Sequence, residues 1–169
     1  MLTRLSDGTE VLIREVRPSD KAMLAAGIGR LSEASRVRRF LGPKPVLSAA
    51  ELRYLTEVDG VDHFAVAAVL ADRWDGDLVA VARWVRLVGD PSAAEAAIVV
   101  CDAYQRRGLG KQLARVLADA ARRRGIARIH ATIHADNVPA LALMQVMATR
   151  LDGAAAVGGV RELTAELPL

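Results

Sequence analysis

The chain has one cysteine, few aromatic residues and no long apolar run, and each scarcity excludes a class of protein. A single cysteine, Cys101, rules out an internal disulfide and a metal site built from several cysteines. Because aromatic residues make up 4% of a chain that is 52% hydrophobic, alanine, valine and leucine must form the core. No apolar run approaches the roughly 20 residues that span a bilayer, and no signal peptide opens the sequence. We therefore expect a cytoplasmic protein without a membrane partner.

The length and the net charge of the chain indicate the number of domains and the kind of ligand. The chain has 169 residues, which fit one domain, and we assign residues 1–169 to it. The formal net charge of +3 suits an acidic ligand. It is too mild to predict a nucleic-acid partner, since no basic run is interleaved with stacking aromatic residues. His130 and His134 are four apart on a predicted strand without a clustered carboxylate, so we expect no metal site.

Hydrophobic periodicity predicts alternating strands and helices. Strands are predicted at residues 11–17, 64–70, 78–87, 96–100, 128–134, 154–157 and 160–167. Helices are predicted to start at 18–20, to cover 32–40 and 48–55, to start within 106–110 and end before Gly125, and to start at 136–139. A break is expected at 42–45, and turns are expected at 75–77 and 158–159. This order favours an α/β fold, a mixed sheet with helices on both faces.

The strongest functional signal lies where the strand at 96–100 leads to the helix that starts within 106–110. The first N–H groups of a helix have no carbonyl partners, and the helix dipole is positive there, so the junction predicts an anion site. Gly108 and Gly110 let the backbone turn tightly and let a ligand approach without a Cβ in the way. Arg106, Arg107 and Lys111 add positive charge. A pyrophosphate fits such a site best.

Three phosphate-binding loops can be compared with this junction. A P-loop needs glycine where Gln105 stands and Ser or Thr where Gln112 stands, and a dinucleotide fingerprint needs a third glycine at Leu113. The third pattern, Gln/Arg-x-x-Gly-x-Gly/Ala, is matched by residues 105–110, QRRGLG. This segment resembles the acyl-CoA pyrophosphate loop of the GNAT superfamily of N-acetyltransferases.

The resemblance extends over nearly the whole chain. Residues 13–20 are similar to the first strand and helix start of the superfamily, and residues 31–40 and 94–100 resemble the catalytic domain of bacterial Pat-type protein lysine acetyltransferases. The resemblance implies a GNAT fold, with a central mixed, mostly antiparallel sheet of six to seven strands and about four flanking helices. It also implies acetyl-CoA as the acyl donor and an amine acceptor, with a protein lysine favoured. The oligomeric state stays open, a homodimer included.

The resemblance also implies roles for individual residues. Glu95, about ten residues before Gln105, matches the general base, which must take a proton from an amine of pKa about 10.4. The apolar residues after it favour partial burial and a raised pKa of the Glu95 carboxyl. The alternative is a solvated carboxylate that closes a loop. A main-chain N–H near Val99 or Val100, where the strand splays to admit the pantetheine arm, would stabilise the oxyanion. The expected cofactor-binding residues are Ile98, Val99, Val100, Gln105, Arg106, Arg107, Gly108, Leu109, Gly110, Lys111, Asn137 and Met144.

The leaving group is where the chain departs from the family pattern. Many members have a tyrosine seven residues after the position of Asn137, and this chain has Met144 there. We expect Met144 to line the tunnel or the core, and Asn137 either to bond the CoA arm or to cap its helix. A thiol has a pKa of about 8.5, so the thiolate can leave without full protonation. The missing tyrosine keeps a non-catalytic acyl-CoA-binding regulatory module open, and a small-molecule amine is the other open acceptor.

Overall fold

The computed structural model describes residues 1–43, 46–72 and 77–168, in which eight strands form one sheet and five α-helices flank it. The sheet order is β1-β2-β3-β4-β5-β6-β8-β7. The strands are Leu2–Arg4 (β1), Glu10–Glu15 (β2), His63–Leu70 (β3), Leu78–Leu87 (β4), Asp90–Val100 (β5), Arg128–His134 (β6), Arg150–Gly153 (β7) and Val160–Glu166 (β8). The helices are Lys21–Gly29 (α1), Glu33–Phe40 (α2), Ala49–Thr56 (α3), Leu109–Arg122 (α4) and Val138–Met147 (α5). Short 3₁₀ turns cover Pro18–Asp20 and Asp102–Tyr104.

The expected mixed, mostly antiparallel sheet is confirmed. It has eight strands where six to seven were expected, and five helices flank it where about four were expected. Only β5 and β6 pair in parallel; every other neighbouring pair among the described residues is antiparallel. The predicted hairpin between the second and third predicted strands is β3–β4. Its turn residues Asp75 and Gly76, and the predicted break residues Lys44 and Pro45, lie outside the described residues.

The predicted strand at 154–157 is wrong. The strand that forms the closing hairpin with β8 is β7, and of the predicted residues only Val157 makes an isolated bridge, to Val160. The physical reason is burial, because Leu151 of β7 packs against the core whereas residues 154–157 are exposed. Strand β1 was also not predicted.

Two main cores and a smaller apolar cluster hold the helices against the sheet. The larger core lies between the sheet and helices α4 and α5, where Trp84, Leu113, Leu117 and Ile129 are fully buried. The second core lies on the opposite face, under α1 and α3, and the smaller cluster, of Ile28, Leu31 and Cys101, contacts Phe40 of α2. No helix in the described parts of the chain is long and apolar enough to cross a membrane.

The parallel pair β5–β6 determines where a ligand can enter the sheet. Its register joins residues 93–95 of β5 to residues 128–130 of β6 and goes no further. Beyond Glu95, β5 stays paired with β4 up to Val100, and β6 stays paired with β8 up to His134. The two strands therefore diverge, and the sheet opens between them.

Candidate functional site

A groove of about 650 Å³ lies beside the part of β5 that has separated from β6, and residues 98–100 are its β5 wall. Its walls come from β5, the loop before α4, the N-terminal part of α4, and helices α2 and α5. Of the expected cofactor-binding residues, all except Arg107, Leu109 and Met144 line this groove. The structure thus brings together residues that are up to about 40 positions apart in the sequence.

One end of the groove is the loop at 105–110, and its backbone is shaped as an anion site. Gly108 precedes α4 with φ 87°, and Arg106 also has a positive φ, 59°. Among the described residues, no main-chain carbonyl accepts a hydrogen bond from the N–H of Gly108, Gly110 or Lys111. These donors sit at the positive end of the α4 dipole, so a diphosphate is the ligand that they suit. The side chains of Arg106 and Lys111 are exposed beside them.

Two residues of the loop direct their side chains away from the groove. Leu109 is 1% exposed and packs in the larger core, so only its main chain faces the anion site. The Arg107 guanidinium forms an ion pair with Asp7 and lies 5.4 Å from the centre of the Tyr104 ring. Arg107 and Tyr104 border a separate depression of about 710 Å³ that shares no lining residue with the groove. Its lining contains neither the loop glycines nor any residue of β5, so it is not the place where we expect the donor to bind.

Gln105 joins the loop to the walls of the groove. Its amide nitrogen donates to the Val100 carbonyl at 3.0 Å and to the Ser35 hydroxyl at 3.2 Å. Nearby, the Asp102 carboxylate accepts hydrogen bonds from the Ser32 N–H and from the hydroxyls of Ser32 and Ser35. Burial alone would raise the pKa of Asp102, but these hydrogen bonds hold it below its usual range. Helix α2 is therefore fastened over the groove at its N-terminus.

The main-chain N–H and C=O groups of successive residues in β5 point alternately towards β4 and away from it, and this determines which of them face the groove. The Cys101 N–H donates to the Val79 carbonyl of β4 at 2.8 Å. Since antiparallel pairs alternate along a strand, Val99 also points its N–H at β4, while Ile98 and Val100 point theirs away from β4. The bond from Gln105 to the Val100 carbonyl agrees with this direction. Of the two residues expected to supply an oxyanion donor, Val100 is the one whose N–H faces the groove, and Ile98 joins it.

Glu95 lies where β5 and β6 begin to separate, three residues before Ile98, which is the first groove residue of β5. Its expected partial burial was wrong, because the side chain is exposed. Ala94, Ala96 and Ile98 turn to the larger core, on the other face from Glu95, so they do not cover it. Glu95 interacts electrostatically with Arg39 of α2. Burial lowers the pKa of Arg39, and the negative charge of Glu95 acts in the opposite sense.

A buried arginine on the neighbouring strand was not predicted. Arg83 of β4 is 5% exposed, donates to the Leu55 carbonyl at 3.1 Å and lies 3.0 Å from His63 Nε2. Burial, helped by the positive charge of Arg39, lowers the pKa of Arg83 to about 9. Burial and the Arg83 charge lower the pKa of His63 to about 4, so His63 is neutral at pH 7 and accepts. An arginine inside the apolar run at 78–85 is the sequence signal that could have found this pair.

The remaining two predicted residues come from α5. Asn137 accepts a hydrogen bond from the Ala140 N–H at 3.2 Å and so caps α5, while its side chain also lines the groove. The cap uses Oδ1, and Nδ2 can still donate to a ligand. Met144 is 3% exposed and borders an inner cavity of about 80 Å³ beside Ala96 and Ile98. It is therefore a wall residue. In the described parts of the chain, no three His, Cys, Asp or Glu side chains are grouped as metal ligands.

The comparisons with known proteins agree with this geometry. The model of a family described as the acetyltransferase (GNAT) family matches residues 37–148. Acetyltransferase PA5475 of Pseudomonas aeruginosa is 36% identical over 113 residues, which are 66% of this chain and 59% of that protein. Acetyltransferase Pat of Mycolicibacterium smegmatis is 37% identical over 101 residues, which are 60% of this chain and 29% of Pat. The chain thus spans less than two thirds of the length of either relative.

A solved structure matches the chain almost from end to end. It is the GNAT domain of PAT from S. lividans, with a TM-score of 0.87 and 29% sequence identity. The match covers 99% of this chain and 96% of that domain.

Proposed function

Since this chain belongs to the GNAT acetyltransferase family, we propose that it transfers the acetyl group of acetyl-CoA to an amine, and that this amine is a protein lysine. One observation carries the proposal: beyond Glu95, the open edge of β5 forms one wall of a groove that reaches the unpaired N–H groups at the start of α4. The similarity to Pat supports a lysine acceptor. We also propose that residues 1–169 work as one domain, because a single sheet contains all eight strands, and that this domain works in the cytoplasm.

The donor would lie along the groove with its diphosphate at the loop. The N–H groups of Gly108, Gly110 and Lys111 would bind the phosphate oxygens, with Arg106 adding charge. The pantetheine arm would follow β5 and bond the main-chain groups of Ile98 and Val100 that β4 leaves free. The thioester would then reach the end where β5 and β6 meet.

The acetyl transfer would take place beside Glu95. The carboxylate would remove a proton from the lysine ammonium, which must be neutral to attack the thioester carbon. One of the two N–H groups, that of Val100 or Ile98, would bond the thioester oxygen as it gains negative charge, and the other would bond the rest of the arm. Met144 cannot donate a proton, so CoA would leave as the thiolate.

The first experiment measures release of CoA thiol from acetyl-CoA with a lysine-containing peptide as acceptor. We expect Glu95→Gln to lower kcat by roughly 10²–10⁴-fold, because the proton acceptor is lost. The heat of CoA binding should stay the same, since the loop is untouched. Glu15→Gln is the matched control: Glu15 is also an exposed glutamate on a strand, outside the groove, and its replacement should leave both measurements unchanged.

The same experiment separates the alternatives. If CoA binds but no amine in a panel of lysine peptides and small amines releases thiol, the chain is a non-catalytic acyl-CoA-binding module. This alternative is favoured by Met144, which stands where many family members have a tyrosine. Turnover with small amines alone would replace the lysine acceptor. No heat on adding CoA would overturn the whole proposal.

A further inference from the structure

The parallel register places a histidine beside Glu95. His130 of β6 pairs with Glu95 of β5 at the end of the parallel β5–β6 ladder. Partners in a sheet point to the same face, and the neighbouring pair confirms it, because Ala94 and Ile129 both point into the larger core. Adjacent strands are about 4.8 Å apart, so Glu95 and His130 lie side by side on one face of the sheet.

A third strand holds the ring of His130 in place. His130 is paired with Thr164 of β8, and His130 Nδ1 lies 3.0 Å from the Thr164 hydroxyl oxygen. When that oxygen accepts a hydrogen bond from Nδ1–H, Nε2 carries the lone pair and can accept a proton. Both side chains keep partial exposure, so the ring can meet a substrate and exchange protons with water.

We propose that His130 is a further catalytic residue, which receives the second proton that the acceptor nitrogen loses, and that Thr164 positions its ring. The inference rests on the proposed function and concerns the same site. It follows from the pairing of Glu95, His130 and Thr164 across three adjacent strands. One carboxylate can take one proton, whereas an ammonium must lose two protons to become an amide.

The proton balance is complete with these two acceptors. Glu95 takes the first proton, and the neutral amine forms a bond to the thioester carbon. The nitrogen of the tetrahedral intermediate is then positively charged and gives its second proton to His130 Nε2. The C–S bond breaks, and the CoA thiolate leaves and takes a proton from water. Glu95 and His130 return their protons to the solvent, so each turnover releases one proton net.

Replacement of His130 by alanine tests the role directly. We expect His130→Ala to lower kcat by roughly 10- to 100-fold, with the KM for acetyl-CoA unchanged, because the loop at 105–110 is intact. Imidazole added to the buffer should restore part of the lost kcat, since it can fill the vacated space and accept the proton. Imidazole should not restore Glu95→Gln, which leaves no such space. A merely structural histidine would show no rescue.

Variants of Thr164 test whether the orientation of the His130 ring matters, and a variant of His134 serves as the control. Thr164→Val should lower kcat by roughly 3- to 10-fold, because one hydrogen bond to the ring is lost, and Thr164→Ser should restore it. His134→Gln is the matched control, since His134 lies on the same face of β6, four residues away. We expect the kcat of this variant to stay within about twofold of that of the parent protein.

The outcomes also distinguish this proposal from the one on which it rests. A kcat within twofold in His130→Ala, with Glu95→Gln inactive and CoA bound normally, overturns the role of His130 and leaves the acetyltransferase intact. A loss in His130→Ala that imidazole does not restore, with full kcat in Thr164→Val, also overturns it. Absence of CoA binding in the unsubstituted protein would overturn the proposed function itself.

Discussion

Gly108 and Arg106 both occupy the left-handed region of the backbone, two residues apart in the loop that faces the groove. A glycine takes this conformation freely, whereas an arginine takes it only when its surroundings favour it. The loop therefore keeps some strain at Arg106 and avoids it at Gly108. This arrangement directs successive N–H groups into the same space, as an anion site requires.

The conformation of Gly108 leads to a residue-scale prediction. Gly108→Ala should lower the free energy of unfolding by about 1–2 kcal/mol, because φ is 87° there although nothing lies within 4 Å of the added Cβ. We also expect at least tenfold weaker CoA binding by calorimetry, since relief of the strain would turn the N–H groups aside.

Gly89→Ala is the control, because φ is 90° and the space for a Cβ is equally open, but Gly89 lies at the turn between β4 and β5. It should show a similar loss of stability with unchanged CoA affinity. Equal CoA affinity in both variants would contradict an anion site at Gly108.

Single residues also mark how far the sequence can predict the site. The loop at 105–110 was predictable, because its glycines and charges follow one another along the chain. Arg83, His63 and His130 were not, because their roles depend on register: Arg83 reaches His63 across β3 and β4, and His130 reaches Glu95 across β5 and β6. The exposure of Glu95 was mispredicted for a related reason, since apolar neighbours in sequence turn to the opposite face.

At the scale of elements, helix α2 depends on contacts outside itself. No residue of α2 is fully buried, although Phe40 packs against Ile28, Leu31 and Cys101, so hydrogen bonds to other elements matter for holding this helix. Ser32 caps it by accepting from the Ser35 N–H, and both serines donate to Asp102. Arg38 and Arg39 near its other end line the groove, so the anchor at Asp102 positions two cations at the site.

Asp102→Ala should therefore weaken both the fold and the ligand site. We expect the free energy of unfolding at pH 7 to fall by about 1–2 kcal/mol, measured by urea denaturation, because three hydrogen bonds are lost. The KM for acetyl-CoA should rise several-fold as Arg38 and Arg39 lose their fixed position. Asp119→Ala on α4, whose exposed ion pair with Arg122 is 3.8 Å long, should change neither quantity.

The pH dependence of this difference has a definite sign. The pKa of Asp102 is lowered in the folded protein, so its stabilising contribution is present above the unfolded pKa and is lost as pH falls through the folded one. The stability gap between the parent and Asp102→Ala should shrink in acid. A gap that stays constant with pH would show that the carboxylate is not the anchor.

Elements differ in how well the sequence predicts them. Strands β4 and β6 were predicted with their observed bounds, because one is a long buried apolar run and the other alternates apolar and polar residues. Strands β1 and β7 are three and four residues long and largely exposed, so they carry no such pattern. They form the two outer edges of the sheet, where pairing with a neighbour takes the place of burial.

At the scale of the whole molecule, the sheet is two sections joined at a narrow seam. Strands β1 to β5 form one section, and β6, β8 and β7 form the other. The seam between them is the β5–β6 ladder, which contains three residue pairs. Helices α4 and α5 pack together behind the opening, where the Leu143 side chain lies 3.2 Å from the place that a Cβ on Gly110 would take. A ligand seated in the groove would touch β5 on one side and α5 on the other.

CoA should therefore stabilise the molecule as a whole. At a concentration of about 100 times its Kd, CoA should add about 2.7 kcal/mol, which raises Tm by roughly 5–10 °C for a chain of this length. Hydrogen exchange at the Ile98 and Val100 amides should slow more than this global gain explains, because the pantetheine arm would bond them directly. Pantetheine, which lacks the diphosphate, should raise Tm by less than about 2 °C at the same concentration, since the N–H groups at the start of α4 would stay unpaired. Equal shifts from the two ligands would mean that the loop at 105–110 does not hold the donor, and that the seam alone binds it.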